Sequence, residues 1–339
     1  MKSLRTVLCL CVRVIEAIEI EREVIGRMAL GKRALTVKKI FSMRVFWAWG
    51  FVLMALAAWI PPAGAGPATD LMRRCEEVLC AEKERLGLFD PGLDPDRTGL
   101  VGLEFSLLTT SVGDVRDKRG AARPEMADAV AEYLRRAGVA SGDWIAVNSS
   151  ASYPGFTLAT LCAAETMGAQ VQMVFSYGSS MYGGNVPEFT FPAMLDLLNG
   201  KGLLRTRIRA TSPGAIRDRV HDLLDENPWP LFQSILSGRR EEHLPEYGVE
   251  QSVRRRLEIF DAAPRPVACF VSCGGPGASL GRSDRILSVG YGLLKRPDFP
   301  VPQGPDRGLI FEYLDRGVPV IHLLFTRGIC QDFNIPYGP

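Results

Sequence analysis

Short apolar runs alternate with longer helix-like segments from about residue 70 onward, and this alternation constrains the fold more than any other feature. Five runs have the length and composition of strands, and they cover 100–110, 143–149, 169–176, 265–275 and 317–325. Three longer segments have apolar residues at helical spacing or throughout and end in glycine, and they cover 69–87, 122–138 and 154–168. Because strands separated by helices need crossover connections, the pattern predicts a three-layer doubly wound α/β fold with a mostly parallel sheet.

The α/β body is expected to span residues 67–339, with a helix-rich and more polar region at 199–264. That region predicts either an insertion over the sheet or further crossover helices. A hydrophobic share of 47% is ordinary for a globular protein. The formal net charge of +2 gives no global field, which argues against nucleic acid as a partner.

An uncharged apolar run at residues 45–60 follows several basic residues and precedes a Pro-Pro break. Its length and the charge bias predict a signal peptide or signal anchor within 43–66, with the main body outside the cytoplasm. Residues 1–42 have no matching pattern, and Met43 lies where such a signal would begin, as expected for a misplaced start codon. We therefore expect localisation at the cytoplasmic membrane or in the cell envelope.

The eight cysteines include no C-x-x-C pair and have no histidine at zinc-ligand spacing. Buried free thiols are expected, and no metal site is predicted. A Walker-type phosphate loop is absent from the sequence, so ATP hydrolysis is not indicated and no cofactor is assigned.

Serine, glycine and asparagine are concentrated in loops that follow the expected strands, notably 148–155, 176–185 and 272–281. In open parallel sheets, ligands bind at the carboxyl ends of strands, where neutral donors can hold a carboxylate or phosphate. The alternative is that these residues only form turns and caps. The candidate ligand-binding residues in these loops are Asn148, Ser149, Ser150, Ser179, Ser180, Asn185, Gly274, Gly275 and Ser279.

Charged candidates accompany these loops. Lys118 and Arg119 belong to a charge run that predicts either a solvated loop or a grip on a carboxylate at the pocket mouth. A catalytic alternative uses Ser180 as nucleophile with His322 or Glu104 as base. For His322 the competing expectation is a buried histidine with satisfied hydrogen bonds, and for Glu104 it is pairing with a nearby base.

Long blocks of the chain resemble the poly-gamma-glutamate system protein family (PgsW type) from about Ala68 to the C-terminus. They are "DPDRTGLVGLEFSLLTTSVGDVRDKR", "YPGFTLATLCAAETMGAQ", "GSSMYGGNVPEFTF", "QSVRRRLEIFDAA", "GGPGASLG" and "GVPVIHLL". The resemblance implies an envelope-associated accessory protein whose partners are poly-gamma-glutamate or the machinery that makes or exports it. Three functions remain open: binding of an anionic or gamma-glutamyl ligand, serine-dependent amide hydrolysis or transfer on the polymer, and a non-catalytic scaffold.

Overall fold

The computed structural model describes residues 66–220, 227–245 and 248–338. The expectations for the extension at 1–42 and for the signal or anchor segment, including its membrane run at 45–60, lie outside the described residues. Within the described residues, no helix has both the length and the apolar character needed to cross a membrane.

The described residues form strands and helices in alternation. The strands are β1 (Thr109–Ser111), β2 (Trp144–Ser150), β3 (Gln170–Ser176), β4 (Ser179–Ser180), β5 (Ile208–Ser212), β6 (Glu242–His243), β7 (Val267–Cys273), β8 (Gly292–Leu293) and β9 (Val320–Leu323). The α-helices are α1 (Pro67–Arg85), α2 (Val115–Ala121), α3 (Met126–Arg136), α4 (Pro154–Met167), α5 (Phe191–Gly200), α6 (Trp229–Leu236), α7 (Val249–Asp261), α8 (Gly277–Leu280), α9 (Leu309–Asp315) and α10 (Thr326–Asp332). Short 3₁₀ turns occupy Pro187–Phe189, Asp284–Ser288 and Gly304–Asp306.

Seven strands form one sheet in the order β6-β5-β3-β2-β7-β9-β8. Every neighbouring pair in it is parallel except β8 and β9, which are antiparallel. A separate parallel pair joins β1 to β4. The predicted α/β fold with a mostly parallel sheet is therefore confirmed.

Helices flank the sheet because successive strand residues point to opposite faces. On β2, Ile145 and Val147 join a hydrophobic cluster that includes residues of α1, α3 and α4. Ala146, between them, joins a second cluster that includes residues of α7 and α9. Both faces are thus apolar, which explains why the central strands are nearly continuous hydrophobic runs.

The chain leaves β2 toward β3 on one side and later places β7 on the other side, followed outward by β9. This change of direction creates a crevice at the carboxyl ends of β2 and β7, which is where open α/β sheets bind ligands. The 199–264 region contributes β5 and β6 to the same sheet, and α7 packs on its second face.

The strand expected over 100–110 is wrong for most of its length, since only Thr109 and Thr110 of that run lie in β1. Residues 100–108 form no regular strand, and they are held by local contacts with the 182–185 loop. The Asn185 side chain accepts from the Leu103 N–H at 2.9 Å and donates to its C=O at 2.9 Å, and Tyr182 forms backbone hydrogen bonds with Gly102 and Leu103. Glu104 is consequently exposed and does not lie on a core strand.

The cysteine prediction holds for the part of the chain that the structure covers. The described cysteines are all free and buried, and they are Cys75, Cys80, Cys162, Cys269, Cys273 and Cys330. Cys9 and Cys11 lie outside the described residues.

Candidate functional site

A small cavity of about 40 Å³ occupies the crevice at the carboxyl ends of β2 and β7. Five separate segments contribute to its wall, and three of them belong to the loops at 148–155, 176–185 and 272–281 that the sequence singled out. The lining residues are Thr110, Ser111, Ser150, Ser152, Gly178, Ala215, Ile216, Gly275 and Pro276. Its interior offers hydroxyl groups and backbone and carries no lining charge, so it suits a polar group of a ligand.

The hydroxyl of Ser150 is the least satisfied polar group in this wall. Ser150 is 1% exposed, and its Oγ has no hydrogen-bond partner within the described residues. A buried hydroxyl without a partner carries a desolvation cost, which a bound water or ligand atom would remove.

Gly274 makes the close approach to Ser150 possible. A Cβ at Gly274 would lie 2.8 Å from Ser150 Oγ, and the residue adopts a φ of +81° that favours glycine. Its N–H donates to the Leu323 C=O at 2.8 Å, which fixes the turn after β7. Gly274 therefore shapes the cavity wall through its missing side chain.

Lys118 and Ser180 meet directly behind this wall. The Lys118 Nζ donates to Ser180 Oγ at 2.8 Å, and both side chains are buried. The Ser180 N–H in turn donates to the Oγ of Ser152, a cavity residue, at 3.0 Å. A lysine and a serine 62 positions apart are thereby placed beside the crevice.

The environment of Lys118 disfavours its charge. Burial lowers the pKa of Lys118 to about 7, although the negative charges of Asp117 and Asp114 raise it in part. The Tyr153 ring lies 3.3 Å from Nζ and also favours the ammonium form. Both protonation states are therefore accessible near neutral pH.

The loop after β3 is fastened to the loop after β2 by backbone contacts. Ser179 Oγ donates to the Ala151 C=O at 3.1 Å, and the Gly184 N–H donates to the same oxygen at 2.6 Å. Ser179 thus has a structural role, which positions its neighbour Ser180.

Other residues predicted for the site lie below it. Asn185 is fully buried, and its Nδ2 also donates to Thr109 Oγ1 at 3.0 Å. Ser149 is bonded to Thr157 Oγ1 on α4. These groups already have partners, so they support the loops and do not face a ligand.

A buried ion pair that the sequence analysis missed lies beneath the crevice. Arg256 of α7 is 0% exposed, and its NH1 lies 2.8 Å from Asp218 Oδ2. Its Nε donates to Asn148 Oδ1 at 3.0 Å, and Asn148 Nδ2 donates to Ser279 Oγ at 2.8 Å. Asn148 and Ser279 are therefore members of this network.

The remaining contacts of Arg256 reach the ends of two more strands. Its NH2 donates to Ser176 Oγ at 3.2 Å on β3 and to Ser212 Oγ at 2.5 Å on β5. Burial by itself would raise the pKa of Asp218, but the Arg256 charge and its hydrogen-bond donors hold it below its ordinary value. The sequence did contain a signal, since Arg256 falls at helical spacing between the apolar residues Val253 and Phe260.

The bases expected for Ser180 lie elsewhere. His322 on β9 lies opposite Ser272 of β7 and Gly292 of β8 in the sheet register. Its ring Nδ1 lies 3.2 Å from the Gly290 C=O, and its Nε2 has no hydrogen-bond partner in the described part of the chain. Burial lowers the pKa of His322 and favours the neutral ring. No hydrogen bond joins Ser180 to His322 or Glu104 among the described residues, and the base in contact with it is Lys118.

Arg119 turns away from the crevice. Its Nε donates to the Leu93 C=O at 3.0 Å, and its NH2 donates to the Gly92 C=O at 2.8 Å. Arg119 thus holds the 92–93 turn and does not lie at the pocket mouth.

A larger cleft of about 490 Å³ runs along α1. Its arginines are largely neutralised, since Arg97 pairs with Glu84 at 2.7 Å and Arg123 with Asp96 at 3.1 Å. None of its lining residues belongs to a strand, whereas the smaller crevice is lined by strand ends and the loops that follow them, so the smaller crevice is the better candidate. No cluster of three or more histidine, cysteine or acidic side chains suited to a metal ion is present in the described residues.

Comparison of the chain with models of protein families and with curated proteins finds no match in either set.

Proposed function

We propose that this chain is a membrane-associated accessory protein of poly-gamma-glutamate synthesis or export, and that it binds an anionic or gamma-glutamyl ligand at the carboxyl edge of its sheet. The fold we assign to it is the three-layer doubly wound class, in which this edge is the usual ligand site. The family resemblance supports the biological setting, with the main body outside the cytoplasm. The crevice supports the binding role.

The observation that carries the binding proposal is the unpaired, buried hydroxyl of Ser150 in a cavity lined by further hydroxyls. A carboxylate or amide oxygen of the ligand would accept from this hydroxyl and satisfy it. The Lys118 amine is connected to the cavity by hydrogen bonds, since it donates to Ser180 Oγ and the Ser180 N–H donates to Ser152 Oγ in the cavity wall. When it is protonated, its positive charge attracts an anionic ligand.

The size of the cavity limits what enters it. A volume of about 40 Å³ admits one carboxylate or amide group and no more. Ser111 and Ile216 are exposed at its edge, so a linear polymer would lie across the surface and insert one group at a time. Poly-gamma-glutamate presents such groups along its whole length.

Titration of the full-length protein with poly-gamma-glutamate at low and high salt tests this proposal. We expect binding that weakens with salt, because exposed parts of a charged polymer are screened. Ser150→Ala should weaken binding roughly tenfold by removing one hydrogen bond to a charged group. Ser234→Ala, an exposed serine on α6, is the matched control and should bind as the wild type does.

Absence of binding at low salt would contradict the ligand proposal, since these contacts are strongest there. That result, together with recovery of the protein in a complex with other envelope components, would favour the scaffold alternative.

A further inference from the structure

We propose that Ser180 and Lys118 form a catalytic dyad, with Ser180 as nucleophile and the neutral Lys118 amine as general base, acting on an amide or ester carbonyl held in the crevice. Its assignment to gamma-glutamyl amides rests on the proposed function. The dyad itself rests on the geometry around Ser180.

Contact between the two reactive groups is the first requirement for such a dyad. The 2.8 Å separation of Lys118 Nζ and Ser180 Oγ is within the range for proton transfer between a nucleophile and its base. Ser180 has no other hydrogen bond from its hydroxyl oxygen to a described residue. The hydroxyl proton is therefore available to the amine when the amine is neutral.

The surroundings of Lys118 support its role as a base. It is enclosed by the Tyr153 ring, and the nearest carboxylates are Asp114 and Asp117 on its own segment. Asp117 is in turn engaged by the Tyr337 hydroxyl, which donates to its Oδ1 at 2.7 Å. With no carboxylate bonded to Nζ among the described residues, burial dominates and a pKa of about 7 leaves much of the amine neutral in ordinary buffers.

The crevice also offers donors for a developing oxyanion. The Ser150 hydroxyl has no partner, and the N–H groups of Ser152 and Gly275 donate to no other described residue. All three residues line the cavity, and Ser180 lies directly behind that lining, with its N–H donating to Ser152 Oγ at 3.0 Å. Donors that are fixed before the reaction stabilise a tetrahedral intermediate without reorganisation.

Backbone strain accompanies this arrangement. Tyr182, two residues after Ser180, has a φ of +60°, and Ala215 in the cavity wall has a φ of +62°. Such conformations are costly for residues with a Cβ and are concentrated at functional sites. They are an observation independent of the Ser180–Lys118 contact.

The reaction follows from these positions. Ser180 Oγ attacks the carbonyl carbon while its proton passes to Lys118 Nζ, which gives a tetrahedral intermediate and an ammonium. The carbon–nitrogen bond then breaks as the ammonium returns the proton to the leaving amine, and an acyl ester on Ser180 remains. Water, or an amine acceptor in a transfer reaction, attacks the ester and gives a proton to Lys118. As the ester bond breaks, the Lys118 ammonium returns this proton to Ser180 Oγ, and the acid or the new amide is released.

The test measures covalent labelling of the full-length protein by a fluorophosphonate, located by mass spectrometry, and release of p-nitroaniline from gamma-glutamyl-p-nitroanilide. In the wild type we expect Ser180 to be labelled, with a rate that rises with pH through about 7 as Lys118 loses its proton. Ser180→Ala should abolish labelling, and Lys118→Met should slow it by roughly 10²–10⁴. The controls are Ser234→Ala and Lys201→Met, both at exposed positions, which should react within about twofold of the wild type.

Labelling at another serine, or a wild-type rate that does not change between pH 5 and 9, would overturn the dyad without depending on the folding of any variant. A wild type that binds poly-gamma-glutamate but is neither labelled nor active would also overturn it and leave the binding proposal intact. Labelling at Ser180 with turnover of simple amides, but without polymer binding, would support the dyad and contradict the proposed ligand.

Discussion

Replacing Asp218 with asparagine isolates the energetic role of the buried ion pair beneath the crevice. Asp218 accepts hydrogen bonds from the Ser212 hydroxyl at 2.7 Å, the Gly214 N–H at 2.8 Å, the Ser252 hydroxyl and Arg256 NH1. Asp218→Asn keeps the shape of the side chain but removes its charge and turns one acceptor into a donor. Arg256, at 0% exposed, is left with its charge uncompensated.

We expect this substitution to cost about 3–5 kcal/mol of unfolding free energy, the usual penalty for breaking a buried pair from one side. For a domain of this size the corresponding fall in Tm is about 6–20 °C. Arg255→Met is the matched control, because Arg255 is next in sequence but forms its pairs with Glu242 and Glu258 at the surface. It should cost no more than about 1 kcal/mol.

Urea unfolding followed by circular dichroism gives these free energies, provided the m-value is unchanged. The double variant Asp218→Asn with Arg256→Met should cost less than the sum of the two single variants by at least about 1 kcal/mol, since the charges are removed together. The pKa of Asp218 is lowered in the fold, so its contribution is present above about pH 4 and is lost as the pH falls through the folded value. The difference between wild type and Asp218→Asn should therefore shrink in acid.

A cost below about 1 kcal/mol for Asp218→Asn, or strict additivity in the double variant, would refute the reasoning, because either result means that the guanidinium is not dependent on this carboxylate.

Three further outcomes are expected. Gly138→Ala places alanine at a φ of +84° in open space and should lower the unfolding free energy by about 1 kcal/mol. Gly274→Ala adds an overlap with Ser150 and should cost at least about 1 kcal/mol more in the same urea assay. Equal costs for the two variants would contradict the close approach of Gly274 to Ser150. Because the folded pKa of Lys118 is lowered, the unfolded chain binds more protons above pH 7, so Lys118 should raise the unfolding free energy by up to about 1.4 kcal/mol per pH unit toward pH 10. Lys118→Met should lower the slope by this amount, and an unchanged slope in unfolding curves at pH 7, 8 and 9 would contradict the prediction. Asn185→Ala should cost about 1–3 kcal/mol and speed hydrogen exchange at Leu103, because it removes the acceptor of that residue's N–H, whereas its C=O keeps the hydrogen bond from the Tyr182 N–H at 2.7 Å. Unchanged exchange would show that residues 100–108 are held by other contacts.

The central strands were predictable because their pattern is strong and local. The runs that became β2 and β3 contain uninterrupted apolar stretches, Trp144–Val147 and Met173–Phe175, and they are joined by a helix that is capped by Gly168 with a positive φ. The run at 100–110 looked similar, yet Leu103 and Phe105 are exposed and the segment has no ladder. Apolar composition alone does not distinguish a strand from a surface segment that is held by a few contacts with a distant loop, here those with Tyr182 and Asn185.

Part of the candidate site's lining was predictable, but its pairings and the segments at 110–111 and 215–216 were not. Strand-end loops are found by position, so Ser150 and Gly275 came from the sequence. The Lys118–Ser180 contact spans 62 positions, and it required the charge run to form α2, which begins where the Asp114 side chain accepts from the Arg116 N–H at 2.9 Å. Local patterns carry no information about which distant residue a buried lysine will meet.

Arg256 gives the crevice a mechanical property as well as an energetic one. The Arg256 guanidinium donates hydrogen bonds to side chains at the ends of β2, β3 and β5 and to Asp218. A displacement of one of these strand ends therefore strains the hydrogen bonds to the others. The rim of the crevice is therefore rigid before a ligand binds, so that little conformational entropy remains to be lost on binding.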